Sequence, residues 1–353
     1  MSHFHRPVVT SSALLLTLVL TACGGGGGGG SSGATPVAAS PQPAPSASAV
    51  TVDPPPATPA PPASGVTDPP PGSSVACSPG DAPSVRSAAF SLVNVVRSVL
   101  GLRQLARLPA FDATAQAHAQ YVVANDSASM QETMGLPCFT GIDLAQRLAG
   151  AGIAAVDLPG ARARSEIVIT YTTPADAEVQ PWDLVNNTLN NLYGRVFLLD
   201  PRAEQLGLGF SAKPGGLQRA MVLDTALLSG TADTATETWV VWPRDGTTGL
   251  PARMAPSNMK PLDAGIIEGY PASLHATVPV QLSRFVMTTA ADGAPVAATL
   301  LINANDRNGV LSQGEAALVP VAPLAAHTTY RVELEGSAGT TPLHLSWLFT
   351  TAP

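Results

Sequence analysis

Few residues in this chain have the types and spacing that chemistry needs. Between residues 77 and 230 there is one histidine, His118. A zinc-type site built on two imidazoles cannot be assembled from one. The chain has three cysteines, Cys23, Cys77 and Cys138, too few for a four-thiolate site. No G-x-S-x-G elbow, H-E-x-x-H pair, phosphate-binding loop or G-x-G-x-x-G turn is present. Asp306 to Leu311 with Glu315 imitates part of a calcium loop, but its first-ligand position is Ala304, and Asn308-Gly309 reads better as a hairpin turn. His118 itself reads as a helix-packing side chain with a local hydrogen bond.

The surroundings of these residues exclude other classes. The chain has 353 residues, room for two domains and extensions. Charged residues are 12% of it, the net charge is −7, and the lysines are Lys213 and Lys260 alone. Without a basic stripe, nucleic acid is not expected as a partner. Residues 1–22 read as an export signal, with His3, His5 and Arg6 ahead of the apolar stretch Ala13 to Leu20. Leu20-Thr21-Ala22-Cys23 resembles the lipobox of bacterial lipoproteins, which implies a lipid anchor on Cys23. Gly24 after that cysteine points to the outer membrane of a Gram-negative bacterium. Residues 23–76 follow as a linker rich in Gly, Pro, Ser and Ala, whose only charges are Asp53 and Asp68. Such a stretch cannot bury enough apolar surface to offset its ordering entropy, so a disordered tether is expected. In an exported chain Cys77 and Cys138 are expected to form a disulfide.

Two folded regions are expected after the tether, residues 77–230 and 236–353. The first has helical periodicity over 84–100, about 112–125, about 143–151 and from Pro181 onward. Strands are expected at Ile167–Tyr171, Leu206–Phe210 and Ala220–Asp224, an α+β arrangement. The second region alternates short β-rich runs with turns: 239–242, 273–280, 281–287, 296–302, 328–334 and 343–349. That pattern suggests a β-sandwich.

Several fragments of the first region resemble one family in order. They are Val93-Asn94-Val95-Val96-Arg97 with Gly101-Leu102, then Ala117-His118-Ala119-Gln120-Tyr121, Ser165-Glu166-Ile167, Tyr193-Gly194-Arg195 and Leu206-Gly207-Leu208-Gly209. Together they resemble the bacterial branch of the CAP superfamily, the SCP-like domain of cysteine-rich secretory, antigen 5 and pathogenesis-related proteins. The resemblance implies an α-β-α sandwich with a cleft that often carries two His and two acidic residues. Here the His positions fall on Met130 and Gly194, and the acidic positions on Glu132 and Glu166. The cleft candidates are therefore Glu132, Glu166, Arg195 and Met130, with no metal and no cofactor. Glu166 has an ion pair with Arg195 or Arg147 as its alternative role.

The second region resembles bacterial immunoglobulin-like domains. Trp242-Pro243-Arg244-Asp245-Gly246 and Ser346-Trp347-Leu348-Phe349-Thr350 carry that likeness. The expectation is an anchored envelope protein that binds a lipid, glycan or protein without turning it over. Its rivals are a hydrolase using Glu132 and Glu166, and a structural or adhesive envelope protein.

Overall fold

A computed structural model of the chain describes residue 77 and residues 83–153, 161–172, 180–213, 218–228, 237–256 and 259–353. The export signal, Cys23 and the linker lie outside the described residues. Helices and sheets both occur, as the α+β reading anticipates. The described elements belong to one unit, Thr67–Pro353.

The N-terminal half contains α1 (Pro83–Val99), β1 (Ala106–Arg107), α2 (Pro109–Ala124), α3 (Leu144–Gly150), β2 (Ala161–Thr172), α4 (Pro181–Asn190), α5 (Leu192–Leu199), β3 (Ala203–Ala212) and β4 (Gln218–Leu228). The strands form one sheet in the order β1-β3-β4-β2, antiparallel except for the parallel β1–β3 pair. Period-2 alternation splits the sheet's side chains between two covers. Val222 and Val168 meet Ala115 and Ala119 of α2. Ile167, Leu206, Leu208 and Phe210 join the core of α1, α4 and α5.

The motif fragments have structural explanations. A Cβ on Gly209 would lie 2.0 Å from the Ala115 carbonyl oxygen, so only glycine lets α2 approach β3 this closely. Asn94 pairs with both the N–H and the carbonyl of Leu105. Arg97, fully buried, donates to the carbonyls of Arg103, Leu198, Asp200 and Ala203, and burial lowers its pKa to about 10. The expected fourth helix is two, because Asn191 ends α4 and its side chain caps α5 by accepting from Gly194 N–H.

The C-terminal half contains β5 (Trp239–Trp242), β6 (Thr247–Leu250), β7 (Ala272–Ala276), β8 (Val280–Thr289), β9 (Ala298–Ile302), β10 (Glu315–Pro320), β11 (Thr329–Ala338) and β12 (Thr341–Thr351). They form two sheets, β5-β7-β10-β9 and β6-β12-β11-β8. Leu274 and Leu318 of one share a core with Phe285, Val332, Trp347 and Phe349 of the other. β6 and β10 are absent from the expected strand set. β10, Glu-Ala-Ala-Leu-Val-Pro, is buried at every position and so shows no alternation to read. The Asn308-Gly309 turn sits inside the longer β9–β10 connection, which winds round Asp306. That carboxylate accepts from the N–H groups of Asn308, Val310 and Leu311.

The two halves share one core: Leu189, Leu192 and Tyr193 pack in the same cluster as Val240, Leu311 and Val319.

Candidate functional site

The site is built where α2, α3, the loop between them and the α2-facing side of the sheet converge. Glu166 on β2 and Asp224 on β4 are direct Cα partners across an antiparallel pair, so both side chains stand on that face. Arg147 in α3 hydrogen-bonds Glu166 Oε2 through Nη2. Its Nη1 donates to Gly141 O at 3.2 Å and lies 3.9 Å from Glu132 Oε1. Glu132 accepts from His118 Nδ1 at 2.9 Å, from the backbone N–H of Thr140 and Gly141, and from the Thr140 hydroxyl.

His118 is fully buried, and its Nε2 faces the Ser129 carbonyl at 3.2 Å. A carbonyl only accepts, and so does an ionised carboxylate. Both ring nitrogens therefore face oxygens within the protein rather than the pocket. Burial raises the Glu132 pKa, but the hydrogen bonds from His118 and the Thr140 amide outweigh it and hold the carboxyl below its ordinary value.

Asp224 is the member that sequence reasoning missed. It is 1% exposed, and neither oxygen finds a donor among the described residues. Glu166 Oε1 lacks one too. Burial first, and then the neighbouring Glu166 charge, push the Asp224 carboxyl well above its ordinary range. That shift favours the protonated form of Asp224 beside Glu166. Arg147 sets its guanidinium between the two glutamates, bonded to Glu166 and 3.9 Å from Glu132. The sequence signal was a charged residue closing the apolar run Ala220 to Leu223 on what proves to be a central strand.

Beside this cluster lies an open pocket of about 390 Å³, lined by Ser129, Met130, Gln131, Asp143, Leu144 and Glu166. Two of the four cleft candidates border it, Met130 and Glu166. Glu132 does not: its side chain is wholly sealed and fully hydrogen-bonded, holding the loop rather than facing a cleft. Arg195 does not either, and it is not the partner of Glu166. It points from α5 into the C-terminal half, donating to Leu189 O and Pro271 O at 2.8 Å and to Ser273 Oγ at 3.2 Å, with its guanidinium 5.0 Å from the Tyr270 ring centroid. At Gly194, a Cβ would stand 2.6 Å from Thr188 O, so the present backbone has no room for a His there. Cys77 and Cys138 are disulfide-bonded, with Cα atoms 5.5 Å apart.

A second buried polar group imitates a hydrolytic triad. Ser273 Oγ lies 2.9 Å from His275 Nε2, and His275 Nδ1 lies 3.7 Å from Glu315 Oε1. The second distance is too long for a hydrogen bond. All three residues are at most 2% exposed, and Ser273 Oγ already takes a donor from Arg195. The group sits where the halves meet, with no approach for a substrate.

Among the described residues no set of three or more His, Cys, Asp or Glu is placed to hold a metal ion, and no helix is long and apolar enough to cross a membrane. No family model matches the chain, and no curated protein matches it. Solved structures similar to part of it include an extracellular protein containing a SCP domain from Bacillus anthracis. That chain is 18% identical, with a TM-score of 0.31 and 40% of each chain covered. Another is an outer surface protein from Borrelia burgdorferi, 15% identical, with a TM-score of 0.32, covering 42% of this chain and 96% of that one. The chain thus spans two fifths of the first of these proteins.

Proposed function

We propose that the chain is an exported lipoprotein, anchored through Cys23. Its N-terminal half is a CAP-like module that binds an envelope ligand without catalysis, and its C-terminal half is an immunoglobulin-like support. The motif fragments carry the family reading, together with a sheet that has helices on both faces. The observation that carries the non-catalytic reading is that the acidic side chains are already spoken for. Glu132 is held by His118, Thr140 and Gly141, and Glu166 by Arg147. A ligand would meet polar groups at Ser129, Gln131, Asp143 and Glu166 across a lining whose surface is more apolar than polar, with Met130 and Leu144 beside them.

Zinc titration of the full chain by calorimetry tests this. The expected result is the same weak heat in the native protein and in the Glu132→Ala/Glu166→Ala variant. A tight one-to-one isotherm in the native protein that this variant abolishes would overturn it.

The hydrolase reading keeps one foothold, because Glu166 borders the pocket. Its proposed second carboxylate, Glu132, is sealed, as is Asp224; the exposed carboxylate that shares the pocket with Glu166 is Asp143, which caps α3 by accepting from Gln146 N–H. Turnover of envelope glycans or peptides that is lost in Glu166→Gln with the fold intact would revive it.

A further inference from the structure

The loop that walls the pocket has a surface unlike the rest of the molecule. Ten large apolar side chains are exposed among the described residues, and four of them, Met130, Met134, Leu136 and Ile142, fall between residues 130 and 142. Met134 is the most exposed of the ten, at 71%. From Ser127 to Ile142 the only charged residue is Glu132, and it is buried. The exposed surface of this stretch is therefore uncharged, with Met130, Met134, Leu136 and Ile142 set among Ser129, Gln131, Thr133 and Thr140, in a chain with a net charge of −7.

The loop is also held rigid. Glu132 grips the Thr140 and Gly141 N–H groups, Tyr121 Oη accepts from Thr133 N, and Asn125 donates to Pro137 O. A preset loop loses little entropy when its apolar side chains are covered. Cys138 within it is bonded to Cys77, the residue at which the N-terminal 76 residues join the fold. Whatever Cys23 is fixed to is thus tethered next to this patch. A flexible chain of 53 residues, the length from Gly24 to Ala76, has ends on the order of 40 Å apart.

We infer that Met134 and Leu136, with Met130 and Ile142 behind them, form a membrane-facing loop that seats on the bilayer carrying the lipid anchor. The inference rests on the anchor reading at Cys23. Confinement near that bilayer makes the lipid surface the occupant rather than a second copy of the chain, and the tip from Met130 to Leu136 exposes no charge to anionic headgroups, Asp126 and Asp143 standing at the loop's two ends. Its apolar tip enters the interfacial region while the acidic remainder stays in water.

The test uses the full-length lipoprotein in vesicles of phosphatidylethanolamine and phosphatidylglycerol. A diazirine-bearing side chain is placed at position 134 or, for comparison, at exposed position 302 or 321. Photolysis should give lipid adducts at 134 in about tenfold excess over the other two, the discrimination that burying one or two apolar side chains supplies. Leu136→Asp should reduce the excess. Equal yields at the three positions, or adducts at 134 to a second protein chain, would overturn the loop inference while the protein stays on the vesicles. Release of the protein from the vesicles would overturn the anchor reading, and this inference with it.

Discussion

Two buried polar clusters in this molecule look equally suited to chemistry, and only one has an approach from solvent. His118, Glu132, Arg147, Glu166 and Asp224 adjoin an open pocket through Glu166. Arg195, Ser273, His275 and Glu315 are closed on all sides where the halves meet, although Ser273 and His275 have the spacing of a nucleophile and its base. Side-chain constellation alone therefore does not define a site; access decides. The second cluster's work is mechanical. Tyr193 O–H donates to Asp306 at 2.6 Å, Tyr270 O–H to Asn190 at 3.0 Å, and Arg195 reaches across to Pro271 O.

The largest expected effect is in the closed cluster. Arg195→Ala strands the Pro271 and Leu189 carbonyls and should cost about 3–5 kcal/mol. Denaturant unfolding should also change from one transition to two as the halves uncouple. A single transition with unchanged midpoint would show that the shared core alone joins them. In the open cluster Arg147→Met leaves Glu166 without its cation and should cost about 3 kcal/mol, read in the same way.

Glu132→Gln should cost about 2 kcal/mol at neutral pH. Because folding lowers the Glu132 pKa, its contribution is present above the unfolded value of about 4.3 and fades as pH falls through the folded value. The gap between the native and variant stability curves should accordingly close in acid. The smallest effect has the opposite sign. Folding raises the Asp224 pKa, so its favourable contribution is complete below about pH 4 and declines as pH rises through the folded value. Asp224→Asn, which keeps a donor toward Glu166, should be about 1 kcal/mol more stable than the native chain at neutral pH and no more stable below pH 4. A pH-independent difference would show that no proton is held between Asp224 and Glu166.

How far the sequence could be read follows the same division. Helical periodicity located α1 to α4, and the Leu206-Gly207-Leu208-Gly209 fragment marks a real constraint, since α2 lies against those glycines. Glu166 was legible as a site residue because its motif neighbours were. Its partner Arg147 stood as one of two alternatives, because the choice depends on which face of α5 carries Arg195. Asp224 was not legible: its meaning comes from the β2–β4 register, a long-range pairing that no local pattern encodes. The sharing of one core between the halves was hidden for a related reason. Apolar residues such as Leu192 and Val319 announce burial but not the surface that buries them.

The bridge between Cys77 and Cys138 also fixes how load would travel. Tension applied through the residues before Cys77 would enter the globular part at one sulfur and leave by the other. The intervening polypeptide, α1, β1 and α2 included, hangs slack behind the covalent shortcut and cannot be peeled away from that end. Reducing agent would remove the shortcut and put α1 directly in line with the pull.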